Sequence, residues 1–262
     1  MAGEIKLKCS IRLDRLFETN EQRKRFEDKW KNFQKADSYN PNIYRKKGDL
    51  LLYDSEQLIP SKKKRRVPLL LVFGNPAGQS VLNGMFFSFE GNGKEHRMWN
   101  SILRPSEILN LPKETGTNLK KMNENRMKRI LSLDYKSKFR IGMCVFISMP
   151  SPAGGKWGGV AGIERLFGRR AFQRLELEEA NRVIDIAKGF IKRKGAVVAF
   201  QKNAWIALRN DTDPAYGIEE ARSCRLRGNL KGTKIPLFGV PPTRLTGPCS
   251  KALYEYRSEL LG

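Results

Sequence analysis

The chain has 262 residues, of which 40% are hydrophobic, and it carries 50 Lys plus Arg against 27 Asp plus Glu, a formal charge of +23. That length and apolar content allow a sizeable core, and a positive excess far beyond what solubility requires predicts a polyanionic partner, with nucleic acid the leading class. The four cysteines are scattered with no C-x-x-C pair and His96 is the only histidine, which rules out a metal site built on several histidines and disfavours a zinc site or disulfide framework, so no metal or cofactor is expected.

In chain order, residues 1–67 mix charge with scattered apolar positions, and Phe26, Trp30 and Phe33 fall on one face of a predicted helix over Glu21 to Phe33. The segment reads as an N-terminal helical layer packed on the core. Its end carries the basic run Lys62-Lys63-Lys64-Arg65-Arg66, which suits either a localisation signal or phosphate contacts. Leu69 to Phe73 then form an unbroken apolar strand, and Ile141–Ile147, Ala196–Phe200 and Ile235–Val240 read similarly. Between them Ala180, Val183, Ile184, Ala187 and Ile191 recur at helical spacing. Strand and helix alternating in this way predict an α/β domain over 68–262, three layers deep, with a central parallel sheet of four strands flanked by helices. No apolar run approaches the ~18 to 20 residues of a spanning helix, and the N-terminus lacks the apolar stretch of a signal peptide, so an intracellular protein without a membrane segment is expected.

In such sheets ligands bind beyond the carboxyl ends of the strands, and the unusual residues stand there. The first strand leads into Gly74-Asn75-Pro76 and, eight residues after Pro76, into Gly84-Met85-Phe86-Phe87. The second ends in Cys144-Val145-Phe146-Ile147-Ser148-Met149-Pro150, with Lys156 and Trp157 in the Gly-rich stretch that follows. The third continues as Gln201-Lys202-Asn203-Ala204-Trp205, and the fourth as Pro241-Pro242-Thr243-Arg244-Leu245.

Taken in order, these passages over about residues 68–260 resemble the uracil-DNA glycosylase superfamily. Gly74-Asn75-Pro76 is similar to the superfamily's first motif, with the first Gly either replaced by Phe73 or shifted to Gly74. Pro242, Thr243 and Leu245 are similar to its second, whose histidine is Pro241 here. At the position of the base-reading Asn stands Cys144, and Ser148 replaces a cluster-ligating Cys, so the iron–sulfur cluster of one branch does not carry over.

The resemblance implies a monofunctional DNA glycosylase, monomeric and free of metal, that extrudes a damaged or deaminated base from single- or double-stranded DNA and hydrolyses its N-glycosidic bond. It implies Asn75 as the residue that orients water; Gly74, Pro76, Phe87 and Cys144 as the base pocket; and Thr243, Arg244 and Leu245, with Lys156 and Trp157, as DNA contacts. Phe86 and Phe87 are adjacent, so one faces the core and one the pocket, or both are core, and Cys144, in an apolar strand, reads equally as a small buried hydrophobe. His96 reads as a helix-start cap rather than a catalytic group. The losses at Pro241 and Cys144 keep a second expectation open, a catalytically degenerate nucleic-acid-binding module of the same fold, and an RNA-binding α/β protein is a third.

Overall fold

A computed structural model describes residues 6–62, 65–89, 93–114 and 116–261. The chain opens with β1 (Lys6–Arg12), α1 (Leu13–Leu16), α2 (Asn20–Lys35), α3 (Asn40–Ile43), β2 (Tyr44–Lys47) and β3 (Leu50–Glu56). It continues through β4 (Val67–Phe73), α4 (Gly78–Asn83), a π-helical turn (Met98–Leu103), α5 (Leu119–Ser132), β5 (Phe139–Val145), α6 (Gly159–Phe167), α7 (Arg169–Phe190), β6 (Ala196–Ala199) and α8 (Lys202–Leu208). The end is α9 (Ile218–Arg222), β7 (Arg227–Asn229), β8 (Pro236–Gly239) and α10 (Thr246–Leu261).

Five strands make the main sheet in the order β5-β4-β6-β8-β7. The four expected strands are the parallel ones, and β7 is an antiparallel edge strand on β8. The pleat sends alternate residues to opposite faces. Leu70, Val72, Cys144, Val197 and Ala199 join one apolar cluster with residues of α6 and α7. Leu69, Leu71, Phe73, Met143, Val198 and Phe200 join another with the π-helical turn, α5 and α10. The architecture is therefore α/β with helices on both faces of a mostly parallel sheet. Helix α7 begins after Gly168, whose φ of 80° only glycine adopts readily. It buries Leu175, Ala180, Val183, Ile184 and Ala187 against the sheet, as the helical spacing requires.

Residues 1–67 are more than the expected helical layer. Strands β1, β3 and β2 form an antiparallel sheet in that order, with β1 in register from Lys6↔Glu56 to Arg12↔Leu50. Helix α2 does form, capped where Thr19 Oγ1 accepts from the Gln22 amide at 3.2 Å, with Phe26, Trp30 and Phe33 as its buried stripe. Phe26 packs at 5.1 Å between ring centres on Phe167 of α6, so this unit shares a core with the α/β layer. Leu58 and Met143 exchange two backbone hydrogen bonds of 2.8 Å, which covers the free edge of β5. Of the basic run, Lys63 and Lys64 lie outside the described residues.

Candidate active site at the carboxyl edge

Consecutive parallel strands leave β4 in opposite directions, β5 to one side and β6 to the other. The crevice between their carboxyl ends is the switch point where open α/β sheets bind ligands. Val72, Ala199 and Gly239 are level across β4, β6 and β8. Segments following these three residues leave the sheet side by side, and at the ~4.8 Å strand spacing the outer two are about 10 Å apart. They bring Gly74-Asn75-Pro76, Gln201 and the Pro241 to Leu245 turn to one edge.

Phe73 to Gly78 are zipped to the segment after β5. Phe146 N donates to Phe73 O at 2.7 Å, Ile147 N to Gly74 O at 2.8 Å and Ser151 N to Pro76 O at 3.0 Å. The Asn75 side chain joins this seam, since Nδ2 donates to Ser151 Oγ at 2.8 Å and to Met149 O at 3.3 Å. Both donor positions of the amide are therefore held by the protein. Its Oδ1 accepts nothing among the described residues and is available to a water. Ser151 Oγ also accepts from Gly159 N at 2.8 Å, which ties the first turn of α6 to the same point.

The neighbouring Ser148 is held from four sides. Its amide donates to Glu179 Oε1 at 2.9 Å, its hydroxyl also bonds that carboxylate and lies 2.6 Å from the Tyr53 hydroxyl, and its carbonyl accepts from Ser55 Oγ at 2.6 Å. Arg182 binds the other carboxylate oxygen and donates to Val145 O at 2.6 Å. Glu179, on α7, thus anchors the segment on which Asn75 rests.

A second residue at the edge is Gln201, the first after Phe200. Gly74 lies directly beneath it, and a β-carbon at 74 would collide with the Gln201 side-chain amide. This exposed amide, one strand from Asn75, heads the Gln201 to Trp205 passage of the sequence, where no role distinguished it from its neighbours.

Aromatic rings form the wall on the other cluster's side. Phe86 is buried, while Phe87 is half-buried with its backbone at φ 48°, so of the two rings Phe87 is the one turned toward the edge. Phe87 meets Phe73 edge-on at 5.0 Å, and Phe73 in turn lies 4.7 Å from Phe200. His96 is parallel to Phe87, 4.9 Å away with 23° between planes. Its Nδ1 accepts from Met98 N at 3.1 Å, so from the position before the N-cap Arg97 it satisfies the first amide of the π-helical turn. Burial, reinforced by Arg97, lowers its pKa and keeps the imidazole neutral at pH 7.

In the turn after β8, Leu245 N donates to Pro242 O at 2.8 Å and Leu245 O accepts from Cys249 N at 2.9 Å, opening α10. Leu245 is half-buried and belongs to neither apolar cluster. Arg244 is exposed, and its charge partly offsets the rise that burial imposes on the Tyr216 hydroxyl. That hydroxyl is buried and has no hydrogen-bond partner among the described residues, a second feature of the edge missed in the sequence.

Two expected site residues are elsewhere. Cys144 points from β5 into the face covered by α6 and α7, fully buried beside Val72 and Val183, and burial pushes its thiol up to about 12. It presents nothing to a base at the edge. Trp157 is also core, 8% exposed and edge-on to Phe33 at 6.2 Å, with only the exposed Lys156 available beside it. Among the described residues, no group of three or more His, Cys, Asp or Glu gathers to hold a metal, and no helix is long and apolar enough to cross a membrane. No family model matches the chain, and no curated protein matches it.

Proposed function

We propose that the protein is a DNA glycosylase-like enzyme of the uracil-DNA glycosylase type, which flips a damaged or deaminated base into the carboxyl-edge crevice and hydrolyses its N-glycosidic bond. The observation that carries this reading is the convergence, at one switch point, of Asn75, Gln201, Phe87 and the Thr243 to Leu245 turn.

Each side chain has a task in that reaction. Asn75, its Nδ2 fixed on Ser151 and Met149, turns Oδ1 toward a water and accepts its hydrogen bond. The water oxygen forms the new bond to C1′, the electron pair of the C1′–N bond leaves with the base, and the water's proton ends on the departing base. An amide orients but does not deprotonate, so the rate is modest. Gln201 supplies a donor for the charge that gathers on the base, the role open because Pro241 has neither side-chain donor nor N–H. Phe87 offers a face for stacking worth ~1 to 3 kcal/mol. His96 already covers one face, so the base takes the other or replaces the imidazole. Leu245 enters the gap in the stack and Arg244 binds a neighbouring phosphate.

The burial of Cys144 favours a second reading, a nucleic-acid-binding module of the same architecture without catalysis, because β5 then contributes no base-reading group. Labelled oligonucleotides carrying a panel of modified bases, followed by alkaline cleavage of abasic sites, separate the two. The enzyme reading expects release by the wild type and none by Asn75→Ala, with DNA affinity nearly unchanged. Release that survives Asn75→Ala refutes the role given to Asn75, and tight binding with no release from any base establishes the module.

A further inference from the structure

The opposite, amino-terminal edge of the sheet carries a cleft that base excision does not use. Arg65 and Arg66 at the entry to β4, Arg140 in β5 and Lys192, Arg193 and Lys194 ahead of β6 line a cavity of about 650 Å³. Six of its eight lining residues are cations and none is acidic. Its lysine rim also borders a hollow of about 570 Å³ that adds Lys234 and the Arg227–Glu259 ion pair.

Two of the cations are built into the fold. Arg140 is 7% exposed; its guanidinium lies 4.2 Å over the Phe190 ring and Nη2 donates to Phe190 O at 2.6 Å. Arg66 lies 4.7 Å over Tyr135 and donates from Nη2 to Tyr135 O at 3.1 Å. Arg140 Nε and Arg66 Nη1 are buried and have no hydrogen-bond partner among the described residues. No salt bridge among the described residues involves any of the six. Charged donors stripped of water and left without an acceptor cost stability, and anionic oxygens are the ligands that satisfy them.

We propose that this cleft is a second nucleic-acid site, in which a phosphodiester backbone crosses the amino-terminal edge of the sheet over Arg66 and Arg140 and under the rim of Lys192, Arg193 and Lys194. A row of cations in a concave channel matches a chain of repeated phosphates. A membrane surface fits less well, because such sites insert apolar side chains, and the exposed large hydrophobics Leu177, Ile206, Ile218 and Tyr254 all lie outside the cleft.

The test uses the full chain and a labelled homopolymer oligonucleotide, so it does not depend on base release. Affinity is titrated against KCl for the wild type, for the exposed rim variant Lys192→Gln/Arg193→Gln/Lys194→Gln, and for a control of equal charge loss on α2, Lys24→Gln/Lys31→Gln/Lys35→Gln. The rim variant is expected to flatten the salt slope by about two to three units, roughly 0.7 to 0.9 per lost contact, while the control keeps most of the wild-type slope. Equal flattening in both variants overturns the proposal, since the charge then acts diffusely. An unchanged slope in the rim variant overturns it too, whether accompanied by lost binding to phosphatidylcholine–phosphatidylserine vesicles, which assigns the cleft to a membrane, or by lost binding of inorganic triphosphate, which assigns it to a small anion. Rim-dependent binding without base release upholds this site while refuting the enzyme; release with a rim-independent slope does the reverse.

Discussion

Removing Glu179 tests whether the floor of the candidate site rests on one buried ion pair. Glu179→Ala leaves the Ser148 amide and hydroxyl without their acceptor and the Arg182 guanidinium without its counterion. Breaking a buried pair on one side costs roughly 3 to 5 kcal/mol. The side chain of Glu179 is 5% exposed but that of Arg182 is 23% exposed, so water relieves part of the stranded charge and the lower end applies, about 3 kcal/mol. At an unfolding entropy of roughly 2.1 cal/mol/K per residue, the chain's 262 residues give about 0.55 kcal/mol/K, and Tm falls by about 5 °C. Differential scanning calorimetry reads this directly. Glu179→Ala/Arg182→Met removes the stranded charge and recovers part of the loss, although Arg182's bonds to Val145 O and Phe146 O go with it. A Tm drop of less than about 2 °C for the single variant, or a double variant no more stable than the single one, refutes the argument.

Glu56 sets a pH dependence. It is buried at the end of β3 with Oε2 unpartnered among the described residues, and burial raises its pKa from 4.5 to about 8. Between those values the folded state holds a proton that the unfolded state has released, so stability falls as pH rises, by up to about 1.4 kcal/mol per unit. Glu56→Gln therefore gains on the wild type in urea denaturation at pH 8 relative to pH 5; an equal difference at both values contradicts the raised pKa. Gly74→Ala tests the close approach at the crevice: the backbone tolerates a β-carbon and the movable end of Gln201 yields, so Tm changes little while the Gln201 side-chain amide resonances shift. Unshifted resonances in the folded variant disprove the contact.

The four parallel strands were legible because a strand covered on both faces has no polar side to interrupt it: Leu69 to Phe73 and Ala196 to Ala199 are apolar throughout. Strand β5 is displaced toward the N-terminus because the apolar run continues through Phe146 and Ile147 after the chain has left the sheet. Strand β7 was invisible because Arg227-Gly228-Asn229 has no apolar position, and an antiparallel edge strand needs only backbone pairing to Phe238, Leu237 and Pro236. In β1 the alternation of Leu7, Cys9 and Ile11 was present, but the interleaved lysines and serine read as solvated charge; only pairing with β3 makes the period meaningful. Sequence left Cys144 open between pocket and core and set Trp157 beside nucleic acid for a shared reason, that chain position locates a residue along an element but not the face it turns to. The pleat sends Cys144 to the α7 side, and Phe33, more than a hundred residues earlier, claims Trp157 from a Gly-rich loop.

The two edges of the sheet divide polar chemistry by type, and that division has an electrostatic reason. At the carboxyl edge the groups brought together are mainly amides, a neutral imidazole and rings, with two exposed cations, Lys202 next to Gln201 and Arg244 in the turn after β8. At the amino edge they are guanidinium and ammonium groups with aromatic support. A site that handles charge developing on a leaving base gains most from oriented dipoles that need no reorganisation, whereas affinity for a polyanion gains most from cations that release counterions. On the proposed reading, strong cations crowded beside Asn75 would hold a phosphate in the place a flipped base is to occupy. With most of the cations across the sheet, backbone affinity on that reading rises without competing for the pocket, and the cleft of Arg66, Arg140 and Lys192 to Lys194 lies where the amino ends of β4, β5 and β6 meet and the rim side chains are exposed.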